Sequence, residues 1–129
     1  VFDTVPPALG DGDPTAIDTG LSRPRPGAVV LTASGEVDTL TAPRLDAALD
    51  ELLTAAEPVL VVDLTGISFL ASSGLAVLIR AAHRASAGDR RLRLVTRGRP
   101  VLRPLRITGT DSLFDLHTDL DGALATSPD

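Results

Sequence analysis

The chain reads as an α/β domain built on a mostly parallel sheet, and three observations lead there. Residues 60–64 form a short, β-branched, nearly continuous apolar run behind Pro58, the composition of a strand covered on both faces. Residues 42–56 and the stretch from Leu75 onward carry their apolar side chains at helical spacing instead. Strand-like and helix-like segments then alternate to the end, and crossovers of that kind join parallel neighbours.

Taken in order, residues 1–15 hold Pro6, Pro7, Pro14 and the run Gly10-Asp11-Gly12-Asp13 with few anchoring apolar groups, so a flexible leader is expected. The folded domain is expected over 16–125. Residues 17–21 suit a first strand, stopped by a turn at Arg23-Pro24-Arg25-Pro26-Gly27. Residues 28–33, with Val29, Val30 and Leu31 in succession, suit a second, so the sheet opens with an antiparallel hairpin. That strand ends in Ser34-Gly35-Glu36-Val37-Asp38.

In residues 42–56, Thr41 is the expected cap and Pro43 suits the first turn. Leu45, Leu49, Leu52 and Leu53 make one stripe, with Arg44, Asp46, Asp50 and Glu51 largely off it. The central strand follows, then a serine-capped helix that starts at Ser72-Ser73-Gly74, runs to Ala87 and stops at Gly88-Asp89. Residues 91–96 alternate Arg, Leu, Arg, Leu before Val95, the period of a strand with one wet face. Pro100 opens, and Pro104 limits, a short irregular helix within 98–105. Thr108-Gly109 breaks the chain again, 113–117 suits a last strand and 120–125 a terminal helical turn or two. Residues 126–129 are expected to fray.

Composition bounds the function. At 129 residues, 43% of them hydrophobic, the chain is long enough for one domain with a genuine core. Three Phe and no Trp or Tyr mean that this core is aliphatic. The absence of Cys excludes disulfides, thiolate metal sites and redox chemistry. A net charge of −5, with all twelve basic residues arginine, argues against a nucleic-acid groove. The longest apolar runs, about five residues, fall far short of the roughly 20 that span a bilayer. The expectation is a soluble, cytoplasmic protein without cofactor.

In parallel sheets functional groups gather at the carboxyl ends of the strands, which brings Asp38 and the Ser72-Ser73 loop to one rim. A helix N-terminus offers unpaired N–H groups and about half a positive charge, so a serine there either caps the helix or accepts a phosphate. Both roles are filled if one serine caps and its neighbour faces outward.

The run Asp63-Leu-Thr-Gly-Ile-Ser-Phe-Leu-Ala-Ser-Ser-Gly-Leu-Ala-Val-Leu-Ile resembles the signature of the STAS domain of bacterial anti-sigma factor antagonists, whose usual form is Asp-Ser-Ser-Gly-Leu or Asp-Ser-Thr-Gly-Leu after a buried strand. Upstream, Gly35-Glu36-Val37-Asp38 followed by Thr39 to Arg44 matches a second element of the family, and the resemblance covers roughly Ala16 to Ala125. It implies a STAS-like mixed sheet with packed helices, no catalysis, and a binding role. The implied partner is a serine-kinase anti-sigma factor, whose capture frees a sigma factor, with a serine phosphatase to reset the switch. Carried over residue by residue, Ser72 is the phosphoacceptor, and Asp38, Thr39, Leu70, Ala71, Ser73 and Gly74 belong to the partner interface. Ala71 stands where the family usually has Asp, which leaves open a phosphorylation-independent module that scaffolds a complex or binds a ligand.

Other chemistries fit less well. A nucleophile elbow, Gly-x-Ser-x-Gly, is broken at Ala71, and His83 and His117, the only candidate bases, read as solvated. Clustered metal ligands are lacking. A receiver-type phosphoaspartate at Asp63 would want a lysine, and the chain has none; an Asx bond to the Thr65-Gly66 turn is the simpler role. Arg90, Arg91 and Arg93 read as a solvated strand face.

Overall fold

In the computed structural model the described residues are 16–125; the expected leader and fraying tail lie outside them. Strand β1 (Asp18–Arg25) pairs antiparallel with β2 (Ala28–Val37), and β3 (Val59–Leu70), β4 (Leu92–Val95) and β5 (Asp115–His117) add in parallel, so the five strands lie in sequential order. Helix α1 (Ala42–Leu53) joins β2 to β3, α2 (Ser72–Ala87) joins β3 to β4, and α3 (Arg99–Thr108) with the 3-10 turn Thr110–Leu113 leads to β5. The short α4 (Leu120–Ala125) closes the described chain. The expected mixed, mostly parallel sheet with its antiparallel hairpin is borne out.

The core follows from strand alternation. Val29, Leu31, Ala33, Leu60, Val62, Leu64, Leu92 and Leu94 meet the apolar stripes of α1, α2 and α3, with Leu45, Leu49, Leu78 and Leu105 fully buried. The opposite sheet face carries Ala28, Val30, Val59, Val61 and Val95, and α4 covers them with Ala123, Leu120 and Leu124. That cover corrects the reading of β4. All four of its residues are buried, and Arg93, expected in water, is 6% exposed and donates to the Ala123 carbonyl at 2.7 Å. Its neighbours are equally structural. Arg90 donates to the Ala55, Glu57 and Leu53 carbonyls just past the end of α1, and Arg91 to the Asp115 carboxylate and the Ser112 and Phe114 carbonyls.

Three boundaries differ from expectation. Strand β1 continues through Arg23-Pro24-Arg25, with the register shifting between Ser22 and Arg25, because an edge strand at a bulge tolerates a proline that lacks a donor. Strand β3 runs six residues past Leu64, to Leu70. Helix α3 extends to Thr108 despite Pro104, whose missing N–H forfeits only the bond to the Pro100 carbonyl, while Thr108 Oγ1 donates to the Pro104 carbonyl at 2.8 Å.

Candidate functional site

The outer half of β3 carries the site. Beyond Asp63 the strand has lost β4 as a neighbour but still pairs with β2, ending in the register Val37↔Leu70. Two consecutive loops therefore leave the sheet side by side. The Ala71 N–H donates to the Val37 carbonyl at 2.8 Å and fastens one loop to the other.

On the β2 side Asp38 organises its own turn. Its Oδ1 accepts the Leu40 N–H at 2.9 Å and the Thr41 N–H at 3.0 Å, and the Asp38 carbonyl accepts the Ala42 N–H at 2.8 Å. Thr41, expected to cap α1, makes no side-chain cap bond; its hydroxyl donates back to the Glu36 carbonyl at 2.7 Å and accepts the Asp38 N–H at 2.9 Å. Oδ1 of Asp38 is thus engaged within the turn; Asp38 itself is half-buried, and Thr39 and Leu40 are exposed, the latter 56%.

On the β3 side the serine pair does not cap. The cap position of α2 is Ala71, in extended geometry at φ −80° and ψ 170°, with no side-chain cap bond. Ser72, Ser73 and Gly74 are the first three helical residues. Ser72 faces outward and is exposed. Ser73 turns inward, and its Oγ is buried without a hydrogen-bond partner. Gly74 is buried because a Cβ there would lie 2.5 Å from Val37 Cγ1 and 2.7 Å from Leu70 Cδ1. Leu70 is buried too, at 6% exposure. Leu70 and Gly74 therefore shape the rim from inside, and the accessible surface includes Thr39, Leu40, Ser72, parts of Asp38, Ala71 and Ser73, and Phe69, which is 49% exposed. Sequence reasoning missed Leu40 and Phe69. The signal available was an apolar residue between polar neighbours for Leu40, in Thr39-Leu40-Thr41; Phe69, followed by Leu70, carried no such signal.

Asp63 takes the turn-forming role expected of it, accepting the Thr65 N–H at 3.0 Å and the Thr65 hydroxyl at 2.8 Å. His83 is exposed and His117 half-buried on another strand. Among the described residues no group of three or more His, Asp or Glu side chains is arranged to hold a metal ion, and no helix is long and apolar enough to cross a membrane. A cavity of about 510 Å³ at the other end of the sheet is lined by His83, Asp89, Arg90, Arg91, Arg93 and Asp115 among others, and its arginines are those already engaged above.

Comparison with known proteins agrees with this geometry. A family model described as "Mlab, STAS domain" matches residues 22–118. The anti-sigma-F factor antagonist RsfB of Mycobacterium tuberculosis is 34% identical over 98 residues, which span 76% of this chain and 80% of that protein. The crystal structure of an anti-sigma factor antagonist from Mycobacterium paratuberculosis superposes with a TM-score of 0.80 at 34% identity, covering 91% of this chain and 98% of that one. The unphosphorylated anti-sigma factor antagonist SpoIIAA, at 18% identity, shares the fold with a TM-score of 0.66 over 85% of this chain and 99% of that one. With its hairpin, its parallel strands and its paired loops at the end of β2 and β3, the chain belongs to the STAS domain family of anti-sigma factor antagonists.

Proposed function

We propose that this protein captures a serine-kinase anti-sigma factor in the cytoplasm through the rim formed by Thr39, Leu40, Phe69 and Ser72, releases the sigma factor, and is switched off by phosphorylation of Ser72. The observation that carries the proposal is the position of Ser72: an exposed residue at the start of a 16-residue helix, three residues after the exposed Phe69, on a loop fastened through Ala71 and Val37 to the one that carries the exposed Leu40. The kinase would transfer the terminal phosphoryl group of ATP to Ser72 Oγ, with the serine proton leaving to solvent or a kinase base.

The phosphate would bring about −1.5 to −2 charges and three acceptor oxygens. At the positive end of α2 that charge is locally favourable, so the fold survives modification. An apolar partner surface pressed on Leu40 and Phe69 would have to desolvate it, and binding is lost for that reason. The switch is one of interface electrostatics. A serine phosphatase would restore the binding form.

Ala71 favours one alternative, a constitutive binder. The missing cap carboxylate removes an acidic group from beside the phosphoacceptor, where a kinase would read it. Intact-mass spectrometry after incubation with ATP and purified serine-kinase anti-sigma factors of the same organism separates the two. One added phosphate that Ser72→Ala abolishes supports the switch; stable binding with no added mass supports the constitutive antagonist; neither binding nor modification by any of them contradicts both.

A further inference from the structure

Helix α3 carries a second surface whose chemistry the fold does not use. Arg99, Arg103 and Arg106 fall at i, i+4 and i+7, so they project from one face, flanked by Leu102 and by Ile107, which is 70% exposed. Arg99, Arg103 and Arg106 line a groove of about 380 Å³ together with Gly98 and Leu102. Among the described residues none of the three arginines makes an ion pair or a side-chain hydrogen bond. The other arginines, Arg44 apart, are each tied to a carboxylate or a carbonyl, as in Arg23–Glu57, Arg80–Asp46, Arg91–Asp115 and Arg97 to the Thr118 carbonyl.

Arg106, in the last turn, suits the helix dipole, but Arg99 and Arg103 do not help the helix. Like charges at i, i+4 repel, and Arg99 sits in the first turn, where the dipole disfavours a cation and no acidic residue compensates. In a chain of net charge −5, three cations without a carboxylate or carbonyl partner on one ten-residue helix point to a role outside stability. Helix α3 begins after the carboxyl end of β4, at the same end of the sheet as Ser72, and packs against β3 and α2.

We propose that this face of α3 receives an acidic segment of the protein partner, with carboxylates on Arg99, Arg103 and Arg106 and an apolar side chain on Ile107. The identity of that partner rests on the function proposed above. The charged stripe is only about 10 Å long, seven residues at 1.5 Å each, too short to follow a nucleic-acid backbone. A membrane-recruiting patch would want four to eight basic residues. Arginine is enriched at protein interfaces and their hot spots, and the exposed Ile107 beside it adds apolar area for a protein partner to bury.

The test compares the full chain with Arg99→Gln/Arg103→Gln/Arg106→Gln and with Arg44→Gln as control. Affinity for the anti-sigma factor is read by titration calorimetry at low and high salt, and an NMR titration uses a synthetic Glu-rich peptide bearing one Leu. The expected results are an affinity about tenfold lower for the triple variant at low salt, from three charge contacts, with a flattened salt dependence. Peptide-induced shifts should cluster at residues 98–107 and vanish in the triple variant. Thermal stability should hold, because relieved repulsion around Arg99 and Arg103 offsets the lost dipole interaction of Arg106, whereas a structural role for these residues would lower it. Unchanged affinity and salt dependence overturn the inference while leaving the Ser72 switch intact. Should no anti-sigma factor bind, the partner assignment fails, and the peptide titration still decides the surface: shifts scattered over the molecule, or tighter binding of a DNA duplex or anionic vesicles, overturn it.

Discussion

Replacing Ala71 with Asp should stabilise the protein, and the structure sets the size of the effect. Ala71 already has the extended backbone of a helix cap, and its carbonyl accepts the Gly74 and Leu75 N–H groups at 3.0 Å each. Only the side-chain acceptor is missing. Losing a cap side chain to Ala costs about 0.5–2 kcal/mol, typically about 1, and a carboxylate at the positive helix end contributes about 0.3–1 kcal/mol. The two overlap at the same N–H groups, so the expected gain is about 1–1.5 kcal/mol. With about 2.1 cal/mol/K of unfolding entropy per residue over roughly 110 residues, that is a rise in Tm of about 4–6 °C. Urea unfolding measures it, with Ala71→Leu, which adds no acceptor, as the control. A midpoint for Ala71→Asp at or below the parent's, with the urea dependence unchanged, would refute the reasoning that this helix end lacks a cap. The same carboxylate would compete with a phosphate for the α2 dipole, so Ser72→Asp should gain less stability in the Ala71→Asp background than alone.

Three other predictions concern packing at the rim and the ties at the opposite end of the sheet. Gly74→Val should cost about 2–4 kcal/mol in chemical denaturation, because its side chain would enter the space of Val37 and Leu70. Arg90→Ala should cost about 2–3 kcal/mol, since three carbonyls at the end of α1 and in the following loop lose a charged donor; Arg90→Lys should recover only part of it. The Glu57 carboxyl is held below its ordinary value by the hydrogen bond from Arg23, then by a backbone hydrogen bond and the nearby charges of Arg23 and Arg90. A depressed carboxyl stabilises the fold above its unfolded value and loses that contribution as pH falls through the folded one, so an NMR titration of Glu57 in Arg23→Gln should show its midpoint moving back up.

The inner half of the sheet was legible in the sequence because both faces are covered there and apolar runs mark it. The outer half of β3 was not. Register shifts between Thr32 and Ser34 and between Gly35 and Glu36 on β2 leave Ile67 and Leu70 as its buried residues, a spacing of three that breaks the strand's period of two. The prolines misled for different reasons: Pro24 sits on an edge with a bulge, and Pro104 costs its short helix a single backbone bond, to the Pro100 carbonyl. Arg93 looked solvent-facing because the helix that covers it comes thirty residues later. At the site, the meeting of Asp38 and the Ser72-Ser73 loop on one rim was readable from the order of the elements; the turn that Asp38 organises was not. The inward turn of Ser73 and the exposure of Leu40 and Phe69 depend on how two loops meet, which no local pattern encodes.

Displacement of a sigma factor reads the proposed switch itself. A labelled sigma factor bound to its serine-kinase anti-sigma factor is titrated with this protein and with Ser72→Glu, and release is followed by fluorescence anisotropy. The parent protein should free the sigma factor, and Ser72→Glu, still folded by circular dichroism, should not. Equal release by both forms, or none by either across the organism's serine-kinase anti-sigma factors, would rule the Ser72 switch out.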